Sequence, residues 1–276
     1  MVYSQNSNVP EGAKPARKKV RVPDLLVLKG KRPIASITCY DATFARLLEK
    51  TDIDFVLVGD SLGHVMQGHN STLGVTVEHV AYHTKCVAQV LKTPLLVSDM
   101  PFCGAGFNEH DTYKNAEILM RAGAEAVKIE GASPELCAQI SRLTRHGIPV
   151  MGHVGLTPQS VHALGGYKVQ GKDAAAKQRL LDEVKALEDA GCFAVVFELV
   201  TAETSTELTR LLRIPTIGIG SGANCDGQIL VLQDMLGMNL DFAPKFLKHF
   251  AQLQETVCGA VNDYCNEVVA KSFPAS

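Results

Sequence analysis

Short apolar segments recur along the chain from residue 31 onward, and longer segments with helical periodicity separate most of them. The apolar segments with the length of β-strands lie at residues 33–40, 54–58, 94–98, 126–129, 148–151, 193–197, 214–217 and 229–232. The main helical segments lie at residues 75–91, 112–122, 134–145, 174–190 and 203–212. Strands that alternate with helices, without a break in composition, predict a parallel sheet within one domain.

An internal repeat narrows the choice of parallel sheet. Residues 121–130 align without gaps on residues 189–198, and both segments run from a helix end through a glycine turn and a strand to a glutamate. Repeated units of this kind predict an α/β fold whose architecture is a single (β/α)₈ TIM-type barrel. A short N-terminal helix at residues 23–30 precedes it. An open Rossmann-type sheet is the alternative, but the first strand–helix turn, residues 38–41, lacks that fold's glycine fingerprint.

The chain divides into a polar, basic N-terminal tail, residues 1–20, and a barrel catalytic domain, residues 21–276. The tail carries a cluster of lysines and arginines without interleaved aromatic residues, which favours a solvated segment over a nucleic-acid-binding arm. A formal net charge of −2 gives no overall field that would attract nucleic acid. We therefore expect no nucleic-acid partner. A nucleic-acid-binding protein would instead show tight, salt-sensitive binding that is lost with residues 1–20.

Apolar runs and cysteines bear on location and packing. No apolar run is long enough to span a membrane, so we expect no membrane partner. The eight cysteines contain no C-x-x-C pair, which predicts small buried apolar side chains rather than disulfides or a zinc site. The N-terminal segment lacks the apolar core of a signal peptide, and together these features predict a cytoplasmic protein.

A C-terminal apolar stripe is expected to pack on the barrel; it comprises Phe246, Phe250, Leu253, Val257, Ala260 and Tyr264.

Acidic residues follow three successive strands of the predicted barrel. Asp60 follows the second strand, Asp99 the third, and Glu130 ends the fourth. The carboxyl ends of barrel strands meet at one mouth, so these carboxylates would repel one another unless a cation or protons intervened. Oxygen donors without a cysteine cluster favour a hard divalent ion such as Mg²⁺. Helix capping or pairing with lysine and arginine is the alternative for any one of these acids.

Three further residues near the same mouth carry chemistry. Glu198 ends an almost wholly apolar strand and is a candidate general base, with a structural ion pair as the alternative. Lys128 lies two residues before Glu130, so both side chains point to the same side of their strand. Lys128 could neutralise a substrate carboxylate or enolate, form a Schiff base, or serve only as an ion-pair partner. His153 could donate a hydrogen bond to a substrate oxygen, or be structural.

Through these residues and seven motifs that follow one another along the chain, the sequence resembles the ketopantoate hydroxymethyltransferase (3-methyl-2-oxobutanoate hydroxymethyltransferase) family. The resemblance covers the chain from about Val22 to its C-terminus. The motifs are VGDSLG at 58–63, STL at 71–73, YHTK at 82–85, DMPF at 99–102, VKIEG at 127–131, GHVGLTPQ at 152–159 and CDGQ at 225–228. Around Glu198 the chain reads Phe-Glu-Leu-Val where the family usually has Leu-Glu-Cys/Ala-Val, but the acid is retained.

The resemblance implies a specific activity and specific site residues. It implies a pantothenate-pathway enzyme that uses one Mg²⁺ ion and transfers a hydroxymethyl group from 5,10-methylenetetrahydrofolate to 3-methyl-2-oxobutanoate through a Mg-stabilised enolate. It places Asp60, Asp99 and Glu130 at the metal. Ser61, Asp99 and Lys128 contact the 2-oxo acid, and Glu198 is the proton acceptor. No residue is assigned to the folate.

The resemblance also bears on assembly and on the competing function. Because the family assembles as large rings, it implies a homo-oligomer, a decamer. The alternative function is a Mg-dependent 2-oxo acid lyase or mutase of the phosphoenolpyruvate mutase/isocitrate lyase type. Such an enzyme should have a phosphate pocket or a lyase cysteine loop, and the sequence shows neither.

Overall fold

A computed structural model describes residues 17–239 and 244–274 of the chain. Eight parallel strands pair in sequence order, and the last pairs with the first, so the sheet is a closed barrel. The strands are β1 (Ile34–Thr38), β2 (Phe55–Val58), β3 (Leu95–Asp99), β4 (Ala126–Glu130), β5 (Val150–Gly155), β6 (Ala194–Glu198), β7 (Thr216–Ile219) and β8 (Gly227–Leu230). The predicted TIM-type barrel is confirmed, and an open Rossmann-type sheet is excluded.

Helices precede the barrel and fill most of the connections between strands. They are α1 (Val22–Leu28), α2 (Ala42–Leu48), α3 (Leu62–Val65), α4 (Val77–Ala88), α5 (Glu109–Arg121), α6 (Pro134–Arg145), α7 (Val161–Leu164), α8 (Ala174–Asp189), α9 (Ala202–Leu211), α10 (Leu232–Met235) and α11 (Leu253–Val269). Several begin at a side chain that accepts backbone N–H groups: Asp41 caps α2, Ser133 caps α6 and Asp173 caps α8. These caps explain why the helix starts were close to their predicted positions.

One strand was misplaced in the sequence analysis. The last strand begins at Gly227 and ends at Leu230, two residues earlier than the apolar run at 229–232. Gly227 pairs with both Ile34 and Ile217, because the barrel closes through backbone hydrogen bonds that do not require an apolar side chain. The run then continues into α10, which takes up Leu232.

The core has two layers because side chains alternate along each strand. In β2, Phe55 and Leu57 point into the barrel, whereas Val56 and Val58 point outward toward the helices. Leu25 of α1 is almost fully buried with the inner residues, so the N-terminal helix closes the amino-terminal end of the barrel. The opposite, carboxyl-terminal mouth is left for polar side chains.

The basic residues just before α1 are not all solvated. Arg17 donates a hydrogen bond to the carbonyl of Thr51, and Lys19 forms an ion pair with Glu125 at 2.5 Å. Lys14, the basic residue of the tail before residue 17, lies outside the described part of the chain. Arg17 and Lys19 therefore tie the segment ahead of α1 to the closed end of the barrel.

A buried carboxylate holds that closed end together. Asp54, just before β2, is fully buried and accepts a bidentate pair from Arg32, at 2.7 and 2.8 Å, and a backbone hydrogen bond from Ala35. We expect Asp54→Ala to lower the free energy of unfolding by about 2 kcal/mol, because it removes the charged acceptor of the hydrogen bonds from Arg32 and Ala35, although the half-exposed Arg32 can regain water. Glu117→Ala, which removes an exposed pair with Arg121, should cost less than about 0.5 kcal/mol. Urea denaturation of both variants tests this, and equal losses would contradict it.

Two packing predictions need correction. Cys39, Cys192 and Cys225 are buried as predicted, but Cys103, Cys258 and Cys265 are exposed. The C-terminal apolar stripe was predicted to pack on the barrel, and this was wrong for its part in α11. Phe246 and Phe250 precede that helix, and Phe246 lines the cavity at the barrel mouth. No residue of α11 is buried, and the exposed side chains include Val257, Val261 and Tyr264. Helical periodicity identified the apolar face but carried no information about what covers it.

No helix among the described residues combines the length and the apolar character needed to cross a membrane.

Candidate active site

One cavity of about 460 Å³ occupies the carboxyl-terminal mouth of the barrel. The structure brings together there all the site residues predicted from the sequence, which are Asp60, Ser61, Asp99, Lys128, Glu130, His153 and Glu198. The strand register explains this convergence. Asp99 pairs across the sheet with Lys128, Glu130 with His153, and Glu198 follows on the next strand.

The three acids at the carboxyl ends of β2, β3 and β4 form a compact cluster. One carboxylate oxygen from each of Asp60, Asp99 and Glu130 lies within 4.8 Å of the others. The backbone N–H of Asp60 donates to Asp99 Oδ2 at 3.1 Å, which fixes the two acids relative to each other. The cluster is buried, so water screens the repulsion among these charges only weakly.

Gln159 is a site residue that the sequence analysis did not single out. Its side-chain amide donates to Asp60 Oδ2 at 3.1 Å, and its backbone N–H donates to Glu130 Oε2 at 3.2 Å. It therefore links two of the three clustered acids from the loop after β5. Its only sequence signal was its place at the end of the motif at residues 152–159.

The protonation of the acids reflects both burial and mutual repulsion. Burial raises the pKa of Asp60 well above its usual range, and the charges of Asp99 and Glu130 add to this effect. Burial also raises the pKa of Asp99, although Lys128, 2.8 Å away, opposes the shift. For Glu130, burial is outweighed by Lys128 and His153, which lower the pKa to about 2.

Two cationic groups lie against these acids. Burial disfavours charge on Lys128, but Asp99, Glu130 and Asp60 outweigh it and raise the lysine pKa. Burial and Lys128 likewise disfavour charge on His153, but Glu130 and Glu198 outweigh them and raise its pKa to about 9. Lys128 is thus a permanently charged group, which argues against its use as a Schiff-base amine.

The donor set fits a divalent cation. Three buried carboxylates face one lysine and one imidazole, and in their ionised forms they leave excess negative charge in a site that water screens poorly. All the clustered donors are oxygens, which suit Mg²⁺ better than zinc or copper. Asp60, Asp99 and Glu130 are the residues that could hold the ion.

His153 bridges this cluster to the predicted base. Its Nδ1 lies 3.2 Å from Glu130 Oε1, and its Nε2 lies 3.3 Å from Glu198 Oε2. The imidazole is almost fully buried, whereas the Glu198 side chain is 20% exposed toward the cavity. Glu198 is therefore held by the protein on one side and accessible to a bound molecule on the other.

The backbone around Glu198 is unusually constrained. Leu199, directly after it, has a φ of +47°, a conformation that costs energy in a leucine. Gly155 on β5 packs so closely that a Cβ atom there would lie 2.3 Å from the Glu198 carbonyl oxygen. Only glycine allows this approach, and the contact fixes where β6 ends and where the Glu198 side chain starts.

Ser61 lines the cavity and contacts the buried Tyr40 behind it. The Tyr40 hydroxyl and Ser61 Oγ are 2.8 Å apart, and the Tyr40 carbonyl contacts His83 Nδ1 at 2.7 Å. Tyr40 is almost fully buried, so it orients Ser61 beside Asp60. The sequence analysis did not predict that Tyr40 orients Ser61, because a tyrosine at the end of a strand is interpreted from sequence alone as a core residue.

Metal affinity is expected to fall as the pH falls from 7 to 5. The raised pKa of Asp60 means that protons compete for this carboxylate well above the usual range, and a metal ion must displace them. Calorimetric titration with Mg²⁺ in two buffers of different ionisation enthalpy measures both the affinity and the protons released. Affinity that does not change with pH, with no proton release, would contradict the assignment of Asp60.

Comparisons of the sequence with known proteins identify the family. Residues 19–276 match a family model described as ketopantoate hydroxymethyltransferase. A protein of Magnetococcus marinus named 3-methyl-2-oxobutanoate hydroxymethyltransferase is 47% identical over 260 residues, with 94% of this chain and 97% of that protein covered. A protein of Burkholderia ambifaria named 3-methyl-2-oxobutanoate hydroxymethyltransferase 1 is 47% identical over 275 residues, with 99% and 98% covered.

Solved structures of low identity share the fold. A phosphonopyruvate hydrolase crystallised with oxalate and Mg²⁺ has a TM-score of 0.61 at 12% identity, with 92% of this chain and 88% of that one covered. A 2,3-dimethylmalate lyase of the PEP mutase/isocitrate lyase superfamily has a TM-score of 0.56 at 16% identity, with 91% and 98% covered. At these identities the likeness concerns the barrel and not the reaction.

Proposed function

The chain belongs to the ketopantoate hydroxymethyltransferase family, and from this premise we propose that it converts 3-methyl-2-oxobutanoate to 2-dehydropantoate (ketopantoate) with 5,10-methylenetetrahydrofolate as one-carbon donor. It is a hydroxymethyltransferase of the pantothenate pathway. One observation carries the proposal: the clustered acids, Lys128 and the accessible Glu198 share a single cavity.

The metal site is proposed at the three clustered acids. Asp60, Asp99 and Glu130 would hold one Mg²⁺ ion, and Gln159 orients two of them. A bound cation there would draw charge from the keto oxygen of the 2-oxo acid and so make the neighbouring C3–H more acidic. Lys128 and Ser61 lie beside the cluster and are placed to bind the substrate carboxylate.

Glu198 is proposed to accept the C3 proton. It is partly exposed to the cavity, and the imidazole of His153 fixes its carboxylate. The positive charge of Lys128 would stabilise the negative oxygen of the enolate that remains. The enolate carbon would then bond to the methylene carbon of the folate as the bond from that carbon to N10 breaks, and N10 takes up the proton that Glu198 removed. Water would replace N5 at the same carbon, its hydroxyl staying on the product and its other proton passing to N5 as tetrahydrofolate leaves.

The competing function is a 2-oxo acid lyase or mutase of the phosphoenolpyruvate mutase/isocitrate lyase type. The fold is shared with such enzymes, but only at 12–16% identity. The family match and the 47% identity to named hydroxymethyltransferases extend over nearly the whole chain. The hydroxymethyltransferase activity is therefore the better supported of the two.

A product assay separates the two functions. Purified protein with Mg²⁺, 3-methyl-2-oxobutanoate and 5,10-methylenetetrahydrofolate should form 2-dehydropantoate, detected by mass spectrometry. Parallel reactions contain phosphonopyruvate or 2,3-dimethylmalate instead. Cleavage of either of these compounds without formation of 2-dehydropantoate would overturn the proposal.

Assembly and location remain predictions. A homo-oligomer, a decamer by family resemblance, is supported by the exposed apolar face of α11, which a second copy of the chain would cover. A cytoplasmic location and the lack of a nucleic-acid partner rest on the sequence arguments alone. Sedimentation velocity measures the assembly directly.

A further inference from the structure

The cavity extends beyond the residues used by the proposed reaction. Its second end comprises His64 and Val65 of α3 and Asp234 and Asn239 from the segment after β8. In the proposed reaction, the five-carbon 2-oxo acid would engage only the end that carries the clustered acids. The second end is therefore left for a larger co-substrate.

Asp234 is the distinctive group at the second end. It is 5% exposed and lies in α10, where Asn239 Nδ2 donates to its Oδ1 at 2.9 Å. In the described part of the chain its side chain forms no ion pair with lysine or arginine. A buried carboxylate with spare acceptor capacity at a cavity wall favours a ligand that brings N–H donors.

The two ends of the cavity are adjacent along α3. Ser61, at the catalytic end, directly precedes this helix, and its carbonyl accepts a hydrogen bond from the backbone N–H of His64 at 3.0 Å. His64 and Val65 line the second end, so the two ends lie about one helical turn apart. A molecule bound at Asp234 would reach the substrate that contacts Ser61.

We propose that Asp234 binds the pterin ring of the folate co-substrate by accepting hydrogen bonds from its N3–H and 2-amino groups. This inference rests on the proposed function. The two pterin donors are parallel and adjacent, which is the geometry that one carboxylate accepts in a paired fashion. Leu230 and Val231, which line the cavity directly before α10, supply apolar surface beside Asp234 for the faces of the ring.

Charge decides which part of the folate lies at Asp234. The glutamate tail of the folate is anionic and would be repelled by a buried carboxylate, whereas the pterin edge presents only donors there. With the pterin at Asp234, the methylene carbon between the pterin and the aminobenzoate lies toward the catalytic end. The tail then extends toward the cavity opening, where His69 and Asn70 are exposed.

The test compares Asp234→Asn with Asp182→Asn, the same change at an exposed aspartate of α8. In Asp234→Asn the KM for 5,10-methylenetetrahydrofolate should rise roughly ten- to hundredfold, the usual effect of losing charge-assisted hydrogen bonds. The rate of C3–H exchange, measured without folate, should change by a factor at least ten times smaller than the change in this KM. Asp182→Asn should match wild type in both assays.

A ligand series tests the same contact without depending on the variant's folding. Wild type should bind tetrahydrofolate at least tenfold more tightly than 2-desamino-2-methyltetrahydrofolate in calorimetric titration, and Asp234→Asn should bind the two ligands alike. Equal affinities in wild type, or the same preference in both proteins, would overturn the inference alone. If wild type forms no 2-dehydropantoate and binds no tetrahydrofolate, the proposed function fails, and this inference fails with it.

Discussion

Replacing Glu198 by glutamine is expected to lower turnover by roughly a hundredfold or more, the usual range for loss of a general base. Glutamine keeps the shape of the side chain and can still contact His153, which lies 3.3 Å from the Glu198 carboxylate, but it cannot accept the C3 proton. Binding of 3-methyl-2-oxobutanoate and Mg²⁺ should persist. Steady-state turnover and calorimetric binding measure the two properties separately.

The exchange of the C3 proton with solvent gives this prediction its control. Exchange should fall in parallel with turnover, because proton removal precedes contact with the one-carbon donor. Glu203→Gln, at an exposed position of α9, should leave both rates near wild type. If Glu198→Gln lowers thermal stability but leaves exchange per folded molecule unchanged, Glu198 is structural. If exchange survives and only hydroxymethyl transfer is lost, Glu198 acts in the folate half of the reaction.

Removing an acid of the cluster should abolish metal binding and activity together. Asp60→Ala or Asp99→Ala leaves fewer charges to hold the ion, so Mg²⁺ affinity and turnover should fall below detection. The metal-free variant Asp60→Ala should remain folded, because burial and two neighbouring acids already destabilise the charge on Asp60. Asp99→Ala also leaves Lys128 paired with Glu130 at 3.4 Å.

Thermal unfolding with and without Mg²⁺ tests this pair of variants. At about 100 times its Kd, a ligand that binds only the folded state stabilises it by about 2.7 kcal/mol, so wild type should melt several degrees higher with Mg²⁺. The two variants should show no such shift, whereas Asp182→Ala should behave as wild type. Full turnover in excess chelator, or wild-type substrate affinity in both variants, would contradict the metal assignment.

The sequence predicted the catalytic end of the cavity because barrel topology does the positioning. Once eight strands alternate with helices, residues that end successive strands must meet, so Asp60, Asp99 and Glu130 could be grouped without coordinates. The two-residue spacing of Lys128 and Glu130 likewise predicted that they share a face, and their side chains are 3.4 Å apart.

Other site residues could not be predicted, because their position depends on loops and on packing. Gln159 reaches two acids from a short turn after β5, and no periodicity marks such a residue. Asp234 lies in a short helix that the sequence presents as the end of an apolar run. Tyr40 reads as a core residue, yet its hydroxyl contacts Ser61. Gln159 and Tyr40 act through partners that lie 99 and 21 residues away in the sequence.

The C-terminal helix marks a different limit. The periodicity predicted its apolar face from Leu253 onward but wrongly extended the helix to Phe246 and Phe250, which precede it. Whether that face packs on the same barrel depends on the path of the chain after β8. The structure leaves all of α11 without a buried residue. A pattern of apolar residues predicts that a surface will be covered and not which molecule covers it.

Proton exchange at C3 of 3-methyl-2-oxobutanoate tests the central claim most directly. The protein, Mg²⁺ and the 2-oxo acid are incubated in deuterated water without folate, and the C3–H signal is followed by proton NMR. We expect the signal to decay with wild type and Mg²⁺, and to persist with excess chelator or with Glu198→Gln. No exchange above the protein-free rate, or exchange that neither chelator nor Glu198→Gln reduces, would contradict the assignment of this cavity as an enolising site.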